Sequence, residues 1–100
     1  MGTSFVGPGG AFRISDRHWH NVVRLALLFG WKPAAPKDDP RLVEPGDAAR
    51  LADALERSLP DIPDHDVRGA DGLLACFSGP AKQGMRDFVA FCRAGGFRIS

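Results

Sequence analysis

Cys76 and Cys92, His18, His20 and His65, and the aspartates Asp61, Asp64 and Asp66 are the residues of this chain whose types could do chemistry. A thiol assisted by an imidazole would make the nucleophile of a cysteine hydrolase. Cys92, however, falls on the apolar stripe of a helical segment and near its C-terminal end, where burial and the negative end of the helix dipole both disfavour the thiolate. Cys76 adjoins Phe77 in a short apolar run, so both cysteines read as buried, reduced, structural residues. His18 and His20 are two positions apart on a helix and diverge by about 200°, so they cannot chelate one ion. No C-x-x-C or H-x-x-x-H pair is present to nucleate a zinc site. Asp64, Asp66 and Gly69 match three positions of a calcium-loop template, but Arg68 and Ala75 stand where further ligands belong, so the segment reads as a solvated loop. Gly79-Pro80 and Gly95-Gly96 lack phosphate-loop spacing and read as helix caps. The expectation is therefore no catalytic residues, no metal site and no cofactor.

With no such machinery to position, the elements are read for what they bury. A chain of 100 residues makes one domain and buries roughly 65% of its unfolded surface. Its 13 basic and 12 acidic side chains leave a formal charge of +1, too even to draw nucleic acid or anionic lipid by a global field. No apolar run approaches a membrane span, and no signal-peptide pattern opens the sequence, which leads us to expect a cytoplasmic protein with no membrane partner.

Residues 1–10 hold four glycines and a proline and read as a flexible N-terminal arm, leaving 11–100 as a single small helical domain. Phe-Arg-Ile-Ser occurs at Phe12–Ser15 and again at Phe97–Ser100, and each copy alternates like a short strand. Ser15 is a good N-cap for a first helix over about Asp16 to Phe29. Its apolar positions Trp19, Val22, Val23, Ala26 and Leu27 follow the helical template, and Leu25, Leu28 and Phe29 widen the arc. Gly30 and Pro33 end it. A proline-rich surface loop follows from Lys32 to Val43. Pro45 opens a second helix with its apolar face at Ala48, Leu51, Ala52, Leu55 and Leu59. The stretch 73–77 is too short to assign as strand or helix. Pro80 opens a third helix with Met85, Phe88, Val89 and Cys92 as its core stripe. The predicted fold is mainly α, with α+β as the alternative: three amphipathic helices around one core, and short N- and C-terminal extended segments that pair as a two-stranded sheet.

Three stretches, Leu27–Pro33, Asp47–Glu56 and Phe88–Ile99, resemble a group of small bacterial proteins with no assigned activity. The shared residues are helix faces and caps, so the resemblance implies no functional residue. Lys37-Asp38-Asp39-Pro40-Arg41 is where this chain departs from the group.

The functional expectation is a small non-catalytic protein-interaction module of the inhibitor, immunity-type or regulatory kind. Arg17, His20 and Arg24, the polar edge of the first helix, together with Trp31, are its candidate partner-binding surface. A homodimer is a further expectation, on the surplus of aromatic residues Trp31, Phe77, Phe88, Phe91 and Phe97. Two alternatives stand beside this reading. One is a small enzyme or ligand binder using His20 or His65 with Asp16 or Asp64 as acid and base. The other is a weak nucleic-acid module, which would need Arg13, Arg17, Arg24 and Arg98 to converge on one face.

Overall fold

The computed structural model describes residues 2–32, 42–67 and 72–99. In chain order these form strands β1 (Gly2–Gly7) and β2 (Gly10–Ser15), helix α1 (Asp16–Leu28), strand β3 (Leu42–Val43), helices α2 (Pro45–Ser58) and α3 (Pro80–Arg93), and strand β4 (Phe97–Ile99). Short 3₁₀ turns lie at Leu59–Asp61 and Leu74–Phe77, and the second of these assigns the stretch that periodicity left open.

The mainly α reading is corrected. The domain is α+β, with three helices packed on a four-stranded antiparallel sheet of order β2-β1-β4-β3. The two Phe-Arg-Ile segments are strands, but they do not pair with each other. β1 lies between them, so that Phe5 stands opposite Phe12 on one side and Ile99 on the other. The N-terminal residues read as an arm thus supply a central strand, and Phe5 is wholly buried. The signal was weak because Phe5 and Val6 are adjacent rather than alternating, and only Phe5 faces inward. β3, two residues at the end of the expected loop, escaped for want of length; the rest of that loop, 33–41, lies outside the described residues.

The inner face of the sheet presents Phe5, Phe12, Ile14, Val43, Phe97 and Ile99 to the helices. Phe5 is the hub. Its ring meets Trp19 at 4.9 Å, Phe88 at 5.4 Å and Phe97 at 5.5 Å, each edge-on, the geometry that aromatic quadrupoles favour. Phe77, Phe88, Phe91 and Phe97 are all buried in this core, and of the aromatic residues on which the homodimer expectation rested Trp31 is half-buried.

The helix boundaries follow their caps. Ser15 ends β2 and accepts the His18 backbone N–H at 3.1 Å, so strand runs directly into helix. At the other end of α1 the Trp31 N–H reaches the Ala26 carbonyl at 2.9 Å and the Gly30 N–H the Leu27 carbonyl at 3.3 Å. This is a Schellman motif, and it requires the positive φ of 97° that Gly30 adopts. α2 and α3 are clamped by Arg93, which binds Asp53 at 3.0 Å and also pairs with Glu56.

Among the described residues one charged side chain, Lys82, is buried. Lys82 threads its stem into the core and donates from Nζ to the Ile62 carbonyl at 2.8 Å and to Asp64 at 2.7 Å, tying the loop after α2 to α3. Replacing Lys82 with methionine keeps the apolar stem but leaves the Ile62 carbonyl without its donor, so a loss of about 1–3 kcal/mol is expected in urea unfolding. Asp64 itself is 85% exposed, and Lys82, through its hydrogen bond and then its charge, holds the carboxyl below its ordinary value of 3.8. A depressed carboxyl stabilises the fold above the unfolded value and loses that contribution as pH falls through the folded one. Asp64→Asn should therefore flatten the stability profile below about pH 4, with a small loss of stability at neutral pH that vanishes in acid, where the wild-type carboxyl is itself protonated.

Candidate functional site

The exposed side of α1 is built from the same periodicity that buries its other side. Val22, Leu25 and Ala26 are buried, with Trp19 and Phe29 packed against the core. The residues at 17, 20, 24, 27 and 28 consequently share the face turned to solvent. Arg17, His20 and Arg24 are exposed there, and the face continues into Leu27 and Leu28, which are 49% and 69% exposed. The sequence reading assigned both leucines to the core. The apolar run from Leu25 to Phe29 is contiguous, so periodicity alone does not select which of its members face inward.

Trp31 does not join that surface. It folds back through the Schellman turn, is half-buried, and its indole N–H donates to Asp47 at 3.3 Å. Arg57 closes the same corner, donating to the Phe29 carbonyl at 2.8 Å from Nη2 and 3.2 Å from Nε. A cation at the open carbonyl end of α1 is electrostatically well placed. With Lys32, Arg50 and Asp53 these residues line a shallow depression, and most of its polar groups are already engaged: Trp31 and Arg50 with Asp47, Asp53 with Arg93, and Arg57 with the Phe29 carbonyl.

The candidate acid-base groups stand apart. His65 and Asp64 are both exposed and His20 faces solvent from α1, while Asp16 accepts a hydrogen bond from Thr3 at 2.5 Å. Among the described residues, none of these groups lines the clefts formed by the helices and sheet. His18 points inward instead: its ring lies 5.0 Å from Phe77, and burial lowers its pKa from 6.5, favouring neutral imidazole. Among the described residues no three His, Cys, Asp or Glu side chains are gathered as a metal would need. The calcium-like loop falls partly on 68–71, outside the described residues. No helix among the described residues is long and apolar enough to cross a membrane. The basic residues divide between layers, Arg13 and Arg98 on the outer face of the sheet and Arg17 and Arg24 on α1.

Both cysteines are free thiols. Burial pushes Cys92 up to about 12, with Arg93 only partly offsetting it. A thiol-disulfide reagent at pH 8 should label half-buried Cys76 well before Cys92 in the native protein, and both at similar rates in denaturant. The linkage for Cys92 runs opposite to that for Asp64: its contribution is complete below the ordinary thiol value of 9.0 and is lost as pH rises toward 12.

The sequence signal missed a second feature. Phe12 and Ile14 of β2, His18 and Val22 of α1, and Gly84, Met85 and Phe88 of α3 line a small apolar cleft beneath the outer edge of the sheet. Compared with known proteins, the chain matches no family model, no curated protein and no solved structure.

Proposed function

We propose that this chain is a non-catalytic protein-interaction module, of the inhibitor, immunity-type or regulatory kind, working through the exposed face of α1. The observation that carries this reading is the continuity of Leu27 and Leu28 with Arg17, His20 and Arg24 along one helix face. Two adjacent exposed leucines gain nothing from water, and burying them under a partner contributes about 25 cal/mol per Å² of apolar surface covered. The cationic stretch beside them gives orientation and speeds encounter with an acidic surface. The arrangement is that of an apolar anchor with a charged rim.

A photo-crosslinking amino acid placed at Leu28, in cells that produce the protein, tests this directly. The expected result is one dominant protein adduct that disappears when Arg24→Glu is added. The comparison position is Ala49, exposed on α2. The same adducts from both positions, or none from Leu28, would overturn the reading. Because Leu28 is exposed, its replacement should change stability by no more than about 0.5 kcal/mol, so lost crosslinking cannot be laid to misfolding.

A further inference from the structure

The edge of the sheet carries an inference that goes beyond the α1 surface. β2 is an outer strand of six residues, paired with β1 on one side and, among the described residues, with nothing on the other. The two-residue connection Pro8-Gly9 sets Gly7 opposite Gly10 as a bonded pair, and antiparallel alternation then directs the backbone groups of Ala11 and Arg13 away from β1. Such an edge is a template for another strand unless it is blunted, and proline, a bulge and a covering helix are all missing from the described part of this one. Its protection amounts to Arg13.

Directly under that edge lies the cleft between β2, α1 and α3. Its floor includes Gly84, in the middle of α3. Glycine there costs roughly 0.5–1 kcal/mol relative to alanine. A Cβ added at Gly84 would meet nothing within 4 Å, so the packing of the described residues does not require the glycine. The missing side chain leaves the mouth of the cleft open to a small apolar group, such as the end of a valine or leucine side chain, arriving from outside. A strand added to β2 would continue the sheet by one spacing and aim its inward side chains at this opening.

We propose that the β2 edge docks an extended segment of a partner protein as a fifth strand, with an apolar side chain seated among Ile14, His18, Gly84 and Phe88. On the opposite face of that segment, an acidic side chain meets Arg13. A second copy of this chain is the poorer fit, since Gly10–Ser15 contains no carboxylate to set against Arg13. Main-chain bonding would supply affinity, and the cleft and Arg13 would supply selectivity, as in other strand-addition complexes.

The test is an NMR titration of the isotope-labelled full chain with two short capped peptides, one alternating leucine with glutamate and one alternating leucine with lysine. Saturating shifts at Ala11, Arg13 and Gly84 are expected with the glutamate peptide, and binding about tenfold weaker with the lysine peptide, the order expected when a favourable cross-strand charge pair becomes a repulsive one. Gly84→Leu, which fills the cleft with a good helix former, should abolish binding while the spectrum stays folded. Arg13→Glu should invert the peptide preference. Three outcomes would overturn the proposal: no shifts with either peptide, equal binding by Gly84→Leu, or β2 shifts that follow protein concentration without peptide, which would make a second copy the occupant. None of these readouts involves Leu28, so the α1 reading stands or falls separately.

Discussion

Replacing Phe5 with alanine is expected to destabilise the domain by about 3–5 kcal/mol, the range for a large aromatic removed from a packed core. A domain of this size commonly has only about 5–15 kcal/mol in total. The melting temperature should therefore fall by some tens of degrees, at roughly 4–8 °C per kcal/mol. Phe5 is wholly buried on the middle of the sheet and its ring edge meets Trp19, Phe88 and Phe97, which come from α1, α3 and β4. Truncation leaves a void that all of these elements border, and a rigid sheet on one side limits collapse. The next residue gives the contrast. Val6 lies on the outer face and is 58% exposed, so Val6→Ala should cost no more than about 0.5 kcal/mol. A loop-like N-terminus would make both substitutions silent, and calorimetry of the two variants separates the cases.

The same residue shows where the fold was legible and where it was not. The helices announced themselves through local chemistry: Ser15 before α1, Gly30 after it, Pro45 and Pro80 at first turns. Each signal concerns a backbone group within one turn of its partner, and the structure places the three helices where those signals put them. β1 had no local signal. Gly2-Thr3-Ser4-Phe5-Val6-Gly7 becomes a strand because β2 and β4 offer partners on both sides and the aromatic core accepts Phe5, which are facts of tertiary structure.

The surfaces divide the same way. That Arg17, His20 and Arg24 share a solvent-facing side of α1 follows from spacing, whereas the exposure of Leu27 and Leu28 depends on which arc of an all-apolar turn meets α2 and the sheet. The return of Trp31 onto the last turn of α1 is legible in Gly30 at C′ and Trp31 at C″, but the Asp47 carboxylate that takes its indole N–H and removes it from the partner-binding surface belongs to α2 and is a tertiary fact. The cleft over Gly84 is visible only once β2 and α3 are side by side.

Two glycines make the last contrast, and Gly96→Ala is the second large effect expected. A Cβ at Gly96 would lie 2.5 Å from the Val43 carbonyl oxygen and 2.9 Å from the ring Cδ and backbone nitrogen of Pro45. These atoms cannot swing aside like the end of a side chain. Val43 is held opposite Phe97 in the β3–β4 pair, and Pro45 is the first residue of α2. Relief requires either β3 to leave the sheet or the first turn of α2 to move off the core. A cost of about 3 kcal/mol is expected, the upper part of the range for overpacking, because the obstruction is backbone. Hydrogen exchange would show where the strain goes: protection should fall at Val43 and Phe97 while the β1–β2 hairpin keeps its own. Gly84→Ala should do the reverse, raising stability by roughly 0.5–1 kcal/mol, since helix propensity favours alanine and nothing described stands near the new methyl group. One glycine is required by the packing of the domain. The other is not, and a stabilised Gly84→Ala protein would show that the domain gains nothing for itself by leaving that space open.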